Sequence, residues 1–307
     1  MPGTHSPCYR DPVRNSPEPG HPDPRTLPAT LLAKFTTDPA GNTAGVRLAH
    51  ATAPDEVAFA QRVQAWQRDR QGRAGLASLG ILLDVTAGSG IYLLRPENEY
   101  VVSHISVSMA PWEVIGDEVI ATASPLAVDD HTGTGLATAR MESGTTLIAA
   151  ARCRSVQTVR PNLPDDLLAE FRSDPAAFDD QQPLSTHLGL TRINDGSSAD
   201  RFGVRWQVPE WTLNSLGTAQ GGSILSATAA VTDIVGDALR DEGAGDCALT
   251  DLSIELMRSP SPSAAGYEFA VDIIRRGRRL VVMTIDLRDE SGKLFARSTA
   301  TLCLRTP

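Results

Sequence analysis

Asn214-Ser215-Leu216-Gly217-Thr218-Ala219-Gln220-Gly221-Gly222 runs directly into a segment rich in small and apolar residues, Ser223 to about Leu239. Asparagine and glycine at the front favour a tight turn, and the pattern behind them predicts one long, largely buried helix. The stretch occurs a second time in weaker form. Asp69-x-x-Gly72-x-x-Gly75-Leu76 precedes Asn214-x-x-Gly217-x-x-Gln220-Gly221 by 145 positions and leads into another helical segment, Leu76 to about Ala87. Two further matches keep the same order: Gly45-Val46-Arg47-Leu48 with Gly203-Val204-Arg205-Trp206, and Met141-Glu142-Ser143-Gly144 with Asp289-Glu290-Ser291-Gly292. A chain of 307 residues has room for two modules, so the repeat is read as a duplication.

Strand-like runs follow each helical segment. In the first copy they are Val101 to Met109, Glu118 to Val128, Gly135 to Met141 and Leu147 to Val159. In the second they are Leu249 to Met257, Tyr267 to Ile274, Leu280 to Leu287 and Leu294 to Leu304. The alternation of Ile105, Val107, Met109 and of Leu252, Ile254, Leu256 is that of half-buried strands, and Gly144 and Gly292 mark hairpin turns. Each copy reads as a strand, a loop, a central helix and an antiparallel meander, which is α+β in class. The first copy is expected to insert a surface helix, Asp55 to Arg68. The expected organisation is a proline-rich disordered leader over 1–27, an N-terminal module over 28–159, a linker over 160–183 with a short helical pattern from Asp165 to Arg172, and a C-terminal module over 184–307.

Bulk properties exclude several classes. A net charge of −9 argues against a general nucleic-acid binder. Cys8, Cys153, Cys247 and Cys303 are scattered, without metal-ligand spacing or the density of a secreted disulfide scaffold, so a cytoplasmic location is expected. The leader has no apolar core of the kind a signal peptide needs. The apolar run Leu76 to Leu94 carries Asp84, Gly80, Gly88 and Gly90, which argues against a membrane span. His5, His21, His50, His104, His131 and His187 form no close metal-ligand pair, and no Gly-x-Ser-x-Gly elbow of a serine hydrolase occurs, Gly88-Ser89-Gly90 having the wrong spacing. No metal or cofactor is expected.

The loop from Asn214 to Gly222 resembles the Asn-x-x-Gly-x-x-His-Gly-Gly loop of PaaI-like hotdog thioesterases of the 4-hydroxybenzoyl-CoA thioesterase superfamily. Leu252 to Arg258, Arg275 to Leu280 and Asp289 to Arg297 look like that family's next strands and turns. The likeness spans about residues 184–306, and more weakly 42–159. It implies a double hotdog: two fused modules, each an antiparallel sheet wrapped around a helix, paired as a built-in dimer that can assemble further through its sheet edges. In that family the loop of one module works with a helix carboxylate of the other. Gln220 stands in place of the loop His, and the carboxylate position falls on Ala229 in the second copy but on Asp84 in the first. One composite site per chain is therefore implied, formed by Asp84 with Asn214, Gln220 and Gly221.

The chemistry of these residues fits thioester hydrolysis, which needs a base for water and stabilisation of the carbonyl oxygen. Asp84 lies among apolar residues, where desolvation raises a carboxyl pKa and improves it as a base, with direct nucleophile as the minor role. Gly221 opens a helix whose unpaired N–H groups favour negative charge, and as a glycine it lets a substrate carbonyl approach closely; Gly222 beside it is expected to bind substrate. Gln220 can orient water or the thioester but does not titrate. Asn214 either closes its own loop or helps orient the site. Asp233, one turn beyond Ala229, reads as a structural or solvated carboxylate. Arg275, Arg276, Arg278 and Arg279 around Gly277 suit the phosphates of CoA, whereas the matching turn Asp129 to Gly133 is acidic. The expected function is hydrolysis of an acyl-CoA, or a carrier-protein thioester, to a free acid and a thiol. The competing reading is a non-catalytic acyl-CoA-binding or regulatory module. A hotdog dehydratase would need a helix His that neither helix contains.

Overall fold

The computed structural model describes residues 38–53, 56–95, 98–110, 118–142, 144, 146–159, 170–171, 173–174, 177–193 and 200–305. The proline-rich leader, and residues 160–169 at the front of the linker, lie outside them. In chain order the elements are α1 (Pro39–Ala44), β1 (Val46–Ala53), β2 (Glu56–Arg62), α2 (Leu76–Tyr92), β3 (Glu99–Met109), β4 (Glu118–Val128), β5 (Thr132–Met141) and β6 (Leu147–Thr158). They continue as α3 (Leu184–His187), β7 (Leu190–Ile193), β8 (Arg201–Trp206), α4 (Gly221–Asp241), β9 (Asp246–Leu256), β10 (Tyr267–Arg276), β11 (Leu280–Asp289) and β12 (Leu294–Arg305).

The strands form one antiparallel sheet in the order β1-β2-β4-β5-β6-β3-β9-β12-β11-β10-β8-β7. Read from either edge, the order is the same set of corresponding strands. The halves meet at β3 and β9, where Ser106 faces Ser253, Ile105 faces Ile254 and Val107 faces Leu252. The 145-position correspondence is also visible in the loops. Asp69 Oδ1 accepts the N–H groups of Gln71 (2.9 Å) and Arg73 (2.8 Å), and Asn214 Oδ1 accepts those of Leu216 (2.9 Å) and Thr218 (3.3 Å). Gly72 and Gly217 turn each loop at φ 75° and 70°, in the left-handed region that favours glycine. Trp66 and Trp211 precede these loops at the same offset and meet edge to face with centroids 5.6 Å apart.

Two expectations at the front of the repeat are corrected. The counterpart of β1 is β7 rather than β8: Val46 of β1 faces Gln61, as Leu190 of β7 faces Trp206. Gly45-Val46 therefore matches Gly189-Leu190, and both glycines have positive φ. The Gly-Val-Arg coincidence misled because alternating strands share short apolar-polar words. The segment expected as a surface helix, Asp55 to Arg68, instead forms β2 and a 3-10 turn, Ala65–Gln67. Asp55 itself lies outside the described residues. Val57, Ala58, Phe59 and Ala60 are all buried, as suits a strand paired on both sides, whereas a surface helix would expose part of any four-residue run.

Each half packs a long helix against its sheet, with the bulk distributed oppositely. α2 is buried along its length except at Gly88 and carries large residues, Leu79, Leu82 and Leu83, against small ones on β4 and β5 such as Ala121, Ala137 and Ala139. A Cβ at Gly135 of β5 would collide with the Ala87 carbonyl. In the second half α4 contributes alanines, serines and threonines, and β10 and β11 supply Phe269, Val271, Met283 and Ile285. Burial of each large aliphatic side chain contributes about 1.5–3 kcal/mol. Among the described residues no helix is long and apolar enough to cross a membrane.

The contact that creates the site is the crossing of α2 and α4. A Cβ at Gly80 would lie 2.5 Å from Ser226 Oγ, and one at Gly222 would lie 2.6 Å from Ile81 Cα. These glycines let the backbones touch, so the start of α4 abuts the second turn of α2 and the beginning of its third turn.

Candidate active site

Asp84, on that third turn, is 5% exposed. Its Oδ2 accepts the N–H of Gly222 at 2.7 Å, and its Oδ1 lies 3.9 Å from the Cys153 thiol on β6. Burial pushes the carboxyl up to about 6, against the opposing pull of the Gly222 N–H and the Cys153 thiol. The same apolar surroundings, together with the adjacent carboxylate, push the Cys153 thiol far up, so it stays protonated. A Cβ on Gly221 would stand 3.1 Å from Asp84 Oδ2 and 3.2 Å from Val102. Glycine is what lets the helix start sit against the carboxylate.

Gln220 occupies the N-cap of α4 and its carbonyl accepts the Ile224 N–H at 3.0 Å. Its side chain, 8% exposed, does not cap the helix. Instead Nε2 donates to Asp38 Oδ2 at 2.6 Å, while Oε1 is buried without a hydrogen-bond partner among the described residues. Asn214 lines the same pocket, but its Oδ1 is engaged by Leu216, Thr218 and the Thr218 hydroxyl (3.2 Å). Of its two expected roles, loop closure is the one its contacts describe.

Asp84, Asn214, Gln220 and Gly221 thus border one cavity of about 130 Å³, walled by residues that include Tyr92, Tyr100 and Val102. The sequence reading missed Asp38. Asp38-Pro39 is the ordinary opening of a helix, in which the carboxylate would be expected to cap, but α1 has no side-chain cap bond and Asp38 reaches across to Gln220. A contact spanning 182 positions leaves no local trace.

The basic hairpin is not at this site. Arg276 pairs with Glu242 at 2.6 Å, just past the C-terminus of α4. Gly221 begins that helix of 21 residues, so Arg275, Arg276, Arg278 and Arg279 turn about 30 Å away at 1.5 Å per residue. Nothing local in the sequence says at which end of the sheet a hairpin turns.

The corresponding cleft in the other half, where Asp69, Gly75 and Leu76 approach α4, has Ala229 at the position equivalent to Asp84. Ion pairs fill it. Arg73 bonds Asp69 (2.9 Å) and Asp246 (2.9 Å), and Arg240 bonds Asp237 (2.7 Å) and Asp246 (2.9 Å). Asp233 borders this cleft, its carboxyl pushed up to about 8 by burial and by repulsion from Asp69. Among the described residues no group of side chains has the arrangement of a metal site.

No family model matches the sequence, and no curated protein matches it. Solved structures do resemble it. The tesB protein of Mycobacterium avium subspecies paratuberculosis superposes with a TM-score of 0.59 at 12% identity, over 87% of this chain and 99% of that one. Acyl-CoA thioesterase II TesB2 of Mycobacterium marinum gives 0.56 at 12%, over 87% and 98%. A conserved hot dog fold protein of unknown function from Alicyclobacillus acidocaldarius gives 0.57 at 12%, over 87% and 98%. Identities this low speak to architecture alone, and by that architecture the chain is a hotdog-fold protein.

Proposed function

We propose that the chain is a double hotdog thioesterase of the PaaI-like kind, with modules over 28–159 and 184–307, that hydrolyses an acyl-CoA at one site between the modules without metal or cofactor. The observation that carries the reading is the 2.7 Å hydrogen bond from the Gly222 N–H, at the start of one module's helix, to the buried Asp84 carboxylate of the other. It supports reading Asp84, its pKa raised by burial, as a base working beside a helix N-terminus.

In this mechanism water sits between Asp84 and Gln220. One proton goes to the Asp84 carboxylate as the water oxygen bonds to the thioester carbon, and the other is held by Gln220 Oε1. The carbonyl oxygen becomes an oxyanion facing the Gly221 N–H and the positive end of α4. The C–S bond then breaks, and the thiolate takes the proton back from Asp84. Acid and thiol leave, and the carboxylate is restored.

Asp38 is a positioning residue. By accepting from Nε2 it leaves Oε1, rather than the NH₂ group, to face the water; a flipped amide would occupy the lone pair needed for attack. Asp38→Ala is expected to lower kcat about 10–100-fold, with little change in KM, through misorientation. Asp38→Asn, which retains an acceptor for Nε2, should recover most of the rate. Equal losses in both variants would reject this role.

Gly88 tests the acyl end of the cavity. It borders the pocket, and a Cβ there meets nothing within 4 Å. Gly88→Leu is expected to keep or raise the melting temperature, since glycine inside a helix costs about 0.5–1 kcal/mol relative to alanine. At the same time, kcat/KM for bulky acyl groups should fall at least about tenfold relative to acetyl.

The deciding experiment is thiol release from acyl-CoAs of varied length and aromaticity. Sustained release supports hydrolysis. Tight binding with no release across the panel would instead identify an acyl-CoA-binding module, the reading favoured by a Gln220 that cannot relay protons.

A further inference from the structure

The Asp84 cavity adjoins a larger groove of about 540 Å³, and the two share Val101, Val102, Thr158, Leu216, Leu256 and Ser259 on their walls. The outer part of the groove has a different character. Arg258, Lys293 and Phe295 border it, and among the described residues no carboxylate side chain lines it. On a chain with a net charge of −9, a concave strip carrying two cations and no anion among its lining residues is where a polyanion is drawn.

Both cations are held at the rim. Arg258 Nη1 donates to the Leu294 carbonyl at 2.9 Å, which leaves its other guanidinium N–H groups for a ligand. Lys293 Nζ lies 5.9 Å from the centroid of the Phe295 ring. Asp289 stands behind Lys293 and accepts its backbone N–H at 3.0 Å, outside the groove. Between the rim and Asp84 run the shared walls, uncharged and apolar apart from Thr158 and Ser259, so a ligand seated here would have a phosphate outside, an uncharged arm in the middle and its reacting group inside.

We infer that this groove seats the phosphate-bearing arm of the thioester, with Arg258 and Lys293 taking the phosphate. The assignment rests on the thioesterase reading and replaces the hairpin arginines, which lie at the far end of α4. The phosphate can come from CoA or from the phosphopantetheine of a carrier protein.

The test compares wild type with Arg258→Glu/Lys293→Glu on acyl-CoA, on the same acyl group carried by pantetheine without phosphate, and on acyl-carrier protein. The preference for acyl-CoA over acyl-pantetheine, measured as a ratio of kcat/KM values, is expected to fall at least about 30-fold. An equal fall for acyl-carrier protein assigns the contact to the phosphopantetheine phosphate, whereas a fall for acyl-CoA alone assigns it to the phosphates of the nucleotide. Either supports the groove. An unchanged preference overturns it, and so does the same loss of preference in Arg278→Glu/Arg279→Glu. If the wild type releases no thiol from any substrate, calorimetric titration with CoA separates the two readings. Binding that weakens at least about 30-fold in the groove variant upholds the seat even though hydrolysis has failed. Unchanged binding, or no binding to the wild type, overturns the seat.

Discussion

Asp84→Asn is expected to lower kcat for thiol release by about 10²–10⁴-fold, the range typical of a lost general base. Asparagine retains the size of the side chain and an oxygen for the Gly222 N–H, now 2.7 Å from Asp84 Oδ2, so the crossing of the helices survives while proton transfer does not. The wild-type rate should rise with pH through about 6, where burial has placed the Asp84 carboxyl, because only the carboxylate accepts the proton. That limb should be missing from the variant.

Stability should move the other way. The ordinary value of the carboxyl is 3.8, and the folded chain raises it to about 6, so the folded state holds this proton more tightly than the unfolded chain. Stability contributed by Asp84 therefore falls as pH rises from about 4 to about 6 and stays at the lower level above that. Asp84→Asn has no proton to lose. Denaturant titrations should find it more stable than wild type at pH 7–8, on the order of 2–3 kcal/mol, with the difference shrinking towards pH 4. A variant with wild-type kcat, or with the same pH dependence of stability as wild type, would remove Asp84 from its role.

Gly222→Ala is expected to be the most damaging methyl that can be added at this site. The new Cβ would lie 2.6 Å from Ile81 Cα, 2.8 Å from the Gly80 carbonyl oxygen and 2.9 Å from Asp84 Cβ. None of these is the end of a flexible side chain, so relief requires α2 and α4 to separate. Overpacking of this kind costs about 1–3 kcal/mol or more, visible as a lowered urea midpoint. Separation also stretches the Gly222 to Asp84 hydrogen bond, so residual folded protein should lose activity. Gly88→Leu adds a larger group to the same helix pair, yet into open space, and the contrast between the two variants isolates the close crossing as the cause.

Much of the architecture is legible in the residues. Alternation along Glu118 to Val128 marks β4 at its observed ends, and Leu76 to Ala87 marks the body of α2, whose last turn continues to Tyr92. The two loops at Asp69 and Asn214 announce the repeat because an Asx turn closed by glycine is a local device: side chain, backbone N–H groups and left-handed glycine all lie within five residues. The meeting of Asp84 with the Gln220-Gly221 loop follows from the family resemblance together with the loss of one carboxylate at Ala229. The front of the repeat is less legible. Charged residues around Val57 to Ala60 suggest a helix when viewed alone, and only pairing with β1 on one side and β4 on the other makes that run a strand.

The local chemistry of loop, turn and strand thus sets most of the elements and their order, because those signals act over a few residues, and the family resemblance singles out Asp84, Gln220 and Gly221 among them. Which side chains share a pocket is a matter of long-range packing. Asp38 is joined to Gln220 across 182 positions, the hairpin arginines are carried to the far end of α4, and Arg258 and Lys293 are brought to the groove adjoining the Asp84 pocket by the pairing of β9 with β12. Packing of glycine against backbone at Gly80 and Gly222 sets the approach of the two helices, and that approach decides which of these charges meets which.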